Sequence, residues 1–427
     1  MQPERTLDYL IIGGGLAGAT AAEAIRGRDK NGTILIVTND TALPYHRPPL
    51  SKEYLRAEVN DTGTYGDGGV YVQLPDWYDA NGVEVLREVS ATGLDAAAKT
   101  VTLDDGQVIG FGKLLLATGG SPRTLSIPGA QLAGVQVLRS LADADAIREA
   151  LAPGQRVVVV GSGFIGLETA ASALQKGCTV TIVEPQARAW PNMVSPAVSE
   201  FFQSQFTAHG ATLRYGYAVV AFGEAQDDRV GAVRIAKGDD MSQTEEIPCD
   251  LVIMGVGIQL NTQLAQNGGL TIDPKHGIVV NEQLETAQVG IFAAGDAAAY
   301  PDPVLGRMHF EHWDHAIASG QTAGSNMAGG NEPYQHVPYF FSDQFDLSLN
   351  MLGYPSADAH ITLRGDPSAK KFTALYVQDS TLRAALMVND DAQMDQLRDL
   401  IQRGAKLTGG AAALADPARD YGEVFKG

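Results

Sequence analysis

The sequence predicts an α/β protein with two Rossmann-like dinucleotide-binding domains and a smaller C-terminal α+β domain. Three observations carry this. Residues 156–185 read RVVVVGSGFIGLETAASALQKGCTVTIVEP: an apolar β-branched strand, Gly161-x-Gly163-x-x-Gly166, a helix over about 167–176, and a second strand ending on Glu184. The same unit stands near the N-terminus, where Tyr9-Leu10-Ile11-Ile12 runs into Gly13-x-Gly15-x-x-Gly18, a helix over about 17–26 and a strand at 34–37. Beyond residue 334, strand-like runs at 347–352, 360–363, 372–377 and 383–388 precede a helix around 392–403.

In each fingerprint the first glycine makes a tight turn, the second lets backbone approach a pyrophosphate, and the third lets helix pack closely on strand. The helix N-terminus adds free N–H groups and positive dipole charge for the phosphates. Glu184 stands where a carboxylate can accept both ribose hydroxyl hydrogens of NAD and repel the extra phosphate of NADP. Arg188, four residues on, is the feature that speaks for NADPH. The expected donor is NADH ahead of NADPH. Two fingerprints about 150 residues apart imply two dinucleotides, and the usual pair is a flavin with a nicotinamide.

At 427 residues the chain is long for one domain. Its 44% hydrophobic and 19% charged residues suit a globular protein with an ample core. No apolar run approaches the roughly 18–20 residues of a membrane span. MQPERTLDYLIIGGG leads straight into a strand without a secretory pattern, so the expected location is cytoplasmic. A net charge of −19 argues against nucleic acid and anionic membranes as partners. Cys178 and Cys249 border apolar runs and form no CxxC or CxxxxC, which excludes a local redox dithiol. Both read as small buried hydrophobes. His309, His312 and His315 would share a helical face, yet no cysteine joins them and no metal is expected.

Taken in order, the second strand lacks a terminal acid. It ends Val37-Thr38-Asn39-Asp40, where Asn39 can accept one ribose hydrogen bond and Asp40 can compensate. Prolines 44, 48 and 49 stiffen LPYHRPPLSK and fix Arg47 and Lys52 on a defined loop. That loop is either a rigid surface feature or a flavin contact with a buried lysine. Residues 60–70 are rich in Gly and Asp and are expected to be flexible. A helix at 75–81, a strand at 83–86, a hairpin turning at Asp104-Asp105-Gly106 and a buried strand with its glycine turn over 113–120 follow. The central part holds a helix at 201–209 and strands at 231–235 and 250–254. The apolar run 290–294 stops on Gly295-Asp296, placing an aspartate at the carboxyl end of a strand, where ligands of parallel sheets bind. A helix over 313–327 comes next, and a loose tail over 406–427 is expected.

Together these motifs resemble the FAD-dependent pyridine nucleotide oxidoreductases, in the branch of NADH-dependent ferredoxin reductases of oxygenase systems, with apoptosis-inducing factor as a relative. The likeness spans about residues 7–403. Its most specific markers are Arg47-Pro48-Pro49-Leu50-Ser51-Lys52, Gly166-Leu167-Glu168, Ala294-Gly295-Asp296, Glu311-His312-Trp313-Asp314-His315-Ala316 and Phe341-Ser342-Asp343-Gln344. It implies a glutathione-reductase-like pair of domains, FAD on 1–122 with 249–328 and NADH on 123–248, and a C-terminal domain over 329–405. FAD is implied on Gly13, Gly15, Leu16, Ala17 and Gly18, with Asn39 at the adenosine ribose, Arg47 and Arg123 at the pyrophosphate, and Asp296 at the ribityl chain and flavin. Lys52, Ala91, Ala117, Thr118 and Gly119 are implied as further FAD contacts, and Trp313 as a flavin wall or a core residue. NADH is implied on Gly161, Gly163, Phe164, Ile165, Gly166 and Gly257, with Glu184 at its ribose. Three features depart from the pattern: Asn39 replaces the usual acid, Phe341 a common tryptophan, and a few extra residues stand near 66–69.

By the same likeness, hydride would pass from nicotinamide to flavin when the two rings stack at about 3–3.5 Å. A nearby cation would offset the negative charge that reduction leaves. Lys52 is the candidate cation. Glu168, expected at the start of the second nucleotide helix, is its partner. The plainer readings are a solvated loop lysine and a helix-dipole glutamate. Without a dithiol, electrons are expected to leave the flavin for a small iron–sulfur protein, a ferredoxin or rubredoxin. A chain at −19 would repel an acidic one unless basic residues cluster at the docking face. The alternatives are an NADH-sensing flavoprotein like apoptosis-inducing factor, or a reductase of a quinone or monodehydroascorbate. Monomer and homodimer both fit the sequence.

Overall fold

The computed structural model describes residues 3–57, 69–238, 240–356 and 358–426; the 60–70 segment and the extra residues near 66–69 fall almost wholly outside them. The chain divides into two compact units. One comprises Met1–Pro48, Val59–Ser121 and Ile258–His336; the other comprises Pro49–Glu58, Pro122–Gly257 and Val337–Gly427. The proline-rich loop crosses this division, leaving Arg47 in the first unit and Lys52 in the second.

In the first unit, Arg5–Ile12, Ile34–Val37, Val83–Leu86, Val108–Leu116 and Ile291–Ala293 pair in parallel. Ile34–Val37 is buried throughout, as expected of a parallel strand covered on both faces. The register aligns Ile12 with Val37 and Leu116, and Leu116 with Ala293. Gly13, Thr38, Ala117 and Ala294 therefore leave the sheet along one carboxyl edge. The sequence reading separates a hairpin from a strand at 113–120; the structure joins them. Val108–Leu116 pairs antiparallel with Thr100–Leu103 at its start and parallel with Arg5–Ile12 along its length. Helix Leu16–Arg28 lies against helix Trp313–Met327 through small residues. A Cβ on Gly320 would fall 2.2 Å from Thr20 Oγ1, and one on Gly324 2.3 Å from the Ala21 carbonyl oxygen.

The second unit holds a parallel sheet in the order Thr212–Tyr215, Thr179–Glu184, Arg156–Val160, Leu251–Met254, Val135–Val137. Its nucleotide helix is Phe164–Gln175 and begins three residues ahead of the sequence reading, because Gly166, a weak helix former, lies inside the first turn. An antiparallel sheet follows in the order Tyr339–Gln344, Leu347–Gly353, Thr381–Val388, Lys371–Gln378, His360–Asp366. The sequence reading has no strand at Tyr339–Gln344.

The expectation of a loose tail over 406–427 is overturned for the described residues. Lys406–Leu407 pairs with Thr381–Val388, Gly410–Ala415 is helical, and Leu414, Tyr421, Val424 and Phe425 are buried with Leu397 and Leu400. The Gly- and Ala-rich composition hides four scattered apolar anchors. No helix of the described residues is long and apolar enough to cross a membrane.

Candidate functional site

The two glycine fingerprints adopt one backbone solution. Gly13 takes φ +121° and Gly161 φ +97°; a Cβ there would lie 2.1 Å from Ala117 O and 2.5 Å from Gly255 O, respectively. A Cβ on Gly18 would meet Gly13 O at 2.1 Å, and one on Gly166 would meet Gly161 O at 2.2 Å, so each helix sits down on its own loop. The second glycines are different. Among the described residues nothing lies within 4 Å of a Cβ at Gly15, and the nearest atom to one at Gly163 is Gly255 O at 3.9 Å. These open positions cap helices whose first turns carry no acidic residue. An open cradle at a positive helix end fits a pyrophosphate.

Register brings most of the expected FAD residues of the first unit to its carboxyl edge: the loop Gly13 to Gly18 with Leu16 and Ala17, Asn39, the turn Ala117-Thr118-Gly119, and Asp296. Asn39 is exposed. Asp40, the neighbouring acid, accepts from Tyr45 Oη at 2.7 Å and from the Ala42 N–H at 3.1 Å, one bond on each carboxylate oxygen. Ala91 opens the strand Ala91–Asp95, and the chain before it meets the same edge where the Val89 N–H donates to Thr38 O. Trp313, half-buried at the start of its helix, donates its indole N–H to His46 Nδ1 at 3.1 Å, beside Arg47. His315 is fully buried between Tyr334 Oη at 2.7 Å and Gly295 O at 3.3 Å, and burial pulls its pKa down to about 4. It thus props the Gly295-Asp296 turn as a neutral ring.

The shared helical face expected for the three histidines is not found. His309 and His312 precede helix Trp313–Met327, and His309 instead faces His276 at 3.2 Å. Among the described residues no group of three or more His, Cys, Asp or Glu is placed to hold a metal.

In the second unit, Gly161, Gly163, Gly166, Glu184 and Gly257 gather at the carboxyl ends of aligned strands, with Met254 and Val183 both paired to Val160. Glu184 Oε2 accepts from the Ser162 N–H at 2.8 Å and hydroxyl at 3.0 Å, and its Oε1 from the Gln186 N–H at 2.9 Å. Arg188 points its guanidinium into its own loop, donating to Val194 O, Ser199 Oγ and Pro191 O. Phe164 stacks on Trp190 with ring centroids 5.1 Å apart, while Ile165 is exposed. Arg123 has an exposed side chain and an N–H that donates to Gly257 O at 2.9 Å.

Lys52 and Glu168 form an ion pair of 2.9 Å with side chains 5% and 3% exposed, which removes the solvated-loop reading of the lysine. Glu168 is the fifth residue of its helix, so the expectation that it stands at the helix start fails along with the dipole reading. Its carboxylate also accepts from Ser51 Oγ and Ser342 Oγ. Neither serine was singled out from the sequence, although both lie inside the quoted markers. Cys178 and Cys249 are free and buried; burial raises both thiols, Cys249 to about 12.

The pattern of the pyridine nucleotide-disulphide oxidoreductases matches residues 7–320, and the reductase C-terminal pattern matches residues 339–425. The chain belongs to the pyridine nucleotide-disulphide oxidoreductase family. The chain is 34% identical over 399 residues to the ferredoxin–NAD(+) reductase component of the anthranilate 1,2-dioxygenase system of Burkholderia cepacia, across 93% of this chain and 94% of that one. It is 30% identical over 399 residues to apoptosis-inducing factor 3 of Homo sapiens, across 93% of this chain and 63% of that one. The crystal structure of the covalent putidaredoxin reductase–putidaredoxin complex matches with a TM-score of 0.87 at 30% identity, covering 96% of this chain and 97% of that one. The likeness to oxygenase-coupled ferredoxin reductases read from the five markers is borne out. A pyridine nucleotide-disulphide oxidoreductase of this kind is an enzyme that uses FAD and a nicotinamide cofactor, and the two glycine cradles fit them.

Proposed function

We propose that the chain is an NADH-dependent ferredoxin reductase, which takes hydride from NADH onto FAD and passes electrons to a small iron–sulfur protein. The observation that carries this is the combination of two pyrophosphate cradles with two buried, separate cysteines: two dinucleotides are held, and no dithiol takes part. Relatives named as ferredoxin reductases support the same acceptor class. FAD, when bound, accepts the hydride and releases its two electrons one at a time.

The chain's own residues bind and orient. Gly13, Gly15 and Gly18 receive the FAD pyrophosphate with Arg47 and Arg123, Asn39 meets the adenosine ribose, and Asp296 the ribityl chain. Gly161, Gly163 and Gly166 receive that of NADH. Glu184 has about one acceptor position left for a ribose hydroxyl, because a carboxylate has about four and three are filled. Arg188 has turned three of its five N–H donors to neighbouring oxygens, which supports NADH over NADPH. Lys52 supplies the cation that favours the reduced flavin, and Glu168 keeps it oriented.

Anaerobic stopped-flow reduction of the yellow holoprotein tests this. Fast bleaching by NADH, slower bleaching by NADPH and prompt reoxidation by added ferredoxin are expected. Slow bleaching by NADH with no reoxidation by ferredoxin would transfer the assignment to an NADH-sensing role.

A further inference from the structure

Three side chains of the second unit serve the buried carboxylate of Glu168. Ser51 Oγ and Lys52 Nζ donate to Oε2, the latter at 2.9 Å, and Ser342 Oγ donates to Oε1 at 2.7 Å. Ser342 and Gln344 sit two residues apart on the strand Tyr339–Gln344 and are 0% and 1% exposed. Gln344 Nε2 donates to Ser342 Oγ at 3.1 Å. A hydroxyl has one hydrogen to give. With an amide N–H aimed at its oxygen, Ser342 turns that hydrogen to Glu168. Gln344 Oε1 is buried and has no hydrogen-bond partner among the described residues. Turned over, the amide would present this oxygen to Ser342 and compete with Glu168 for the single hydrogen. The orientation found instead makes a one-way relay of donors from Gln344 through Ser342 to the carboxylate.

A buried ion pair holds its geometry only when the remaining lone pairs are also satisfied. Without a donor on Oε1, the carboxylate plane could swing and offer Lys52 a poorer partner. We propose that Ser342, oriented by Gln344, is a positioning residue for the Lys52–Glu168 pair, so that one hydroxyl of the C-terminal sheet sets the aim of Lys52. This rests on the reading that Lys52 serves flavin reduction.

The test measures the rate constant of flavin reduction at saturating NADH for the wild type, Lys52→Ala, Ser342→Ala and the double variant, with bound FAD and melting temperature followed in parallel. Ser342→Ala is expected to slow reduction roughly tenfold, the scale of one hydrogen bond to a charged group. Its dependence on NADH concentration stays unchanged, Ser342→Thr restores most of the rate, and the double variant is no slower than Lys52→Ala. If Lys52→Ala slows reduction and Ser342→Ala does not, the positioning role is overturned and the Lys52 assignment stands. Full additivity in the double variant also overturns it, since Ser342 would then act without Lys52. Unchanged rates in both single variants remove the Lys52 reading and the inference together. Should Ser342→Ala fail to fold with FAD, Ser342→Cys fills the same space with a weaker donor and is judged by the same criteria.

Discussion

Glu184 is held in place by its own chain. The Ser162 N–H and hydroxyl tie its carboxylate to the glycine loop, and the Gln186 N–H holds its other oxygen. On the proposed reading, removing it would take away a ribose acceptor and a negative charge that repels a 2′-phosphate. Glu184→Ala is therefore expected to cut kcat/KM for NADH roughly tenfold while sparing NADPH, the scale of a lost charge-assisted hydrogen bond. Steady-state kinetics with both nucleotides check this; an unmoved NADH/NADPH ratio would hand the discrimination to another residue. Such a residue is legible in a sequence because strand, glycines, helix and acid are tied by spacing along one stretch. Ser342 is not. Its task exists only because the edge strand Tyr339–Gln344 meets the helix Phe164–Gln175 at Glu168, a pairing of segments 174 positions apart. Asp40 shows the same limit: its position suggests a ribose acceptor, but the bond it accepts from Tyr45 Oη is visible only in the folded chain.

Among the elements, helices Leu16–Arg28 and Trp313–Met327 show how glycine sets distance. At Gly320 an added Cβ would lie 2.2 Å from Thr20 Oγ1 and 2.5 Å from Ala17 O; at Gly27, in the partner helix, nothing described lies within 4 Å. Gly320→Ala is expected to destabilise the protein by about 1–3 kcal/mol through overpacking. On the proposed reading it should also loosen FAD, because Ala17 lies in the first turn of the helix that Gly15 caps. Gly27→Ala is expected to be neutral or to stabilise by up to ~1 kcal/mol. Thermal melts and the FAD-to-protein ratio after gel filtration decide, and equal behaviour of the two variants would sink the argument. The helix Trp313–Met327 was legible end to end, but not the reason for its glycines, which lies in the facing helix. The tail shows the reverse limit. Composition alone suggested looseness over 406–427, while Leu414, Tyr421, Val424 and Phe425 close the core beneath the C-terminal sheet. Removing residues from 406 onward is expected to expose that core and lower the melting temperature, an effect readable by the same melts.

At the scale of the whole molecule, charge sets the terms on which an acceptor approaches. A net −19 creates a negative far field, and an acidic iron–sulfur protein must cross it before any local contact forms. The Debye length falls from about 30 Å at 0.01 M salt to about 10 Å at 0.1 M, so this repulsion fades over that interval while contacts within a few ångströms persist. With an acidic ferredoxin as acceptor, kcat/KM for the ferredoxin is accordingly expected to rise severalfold between those two salt concentrations. The rate of flavin reduction at saturating NADH should barely move, since that step involves bound partners. Cytochrome c reduction coupled through limiting ferredoxin measures the first quantity and stopped-flow absorbance the second. A steady fall in kcat/KM with salt would mean that a basic docking face outweighs the net charge. Electrostatic steering would then have been built into one surface of an acidic protein, and that face could be mapped by charge reversal of its exposed lysines and arginines.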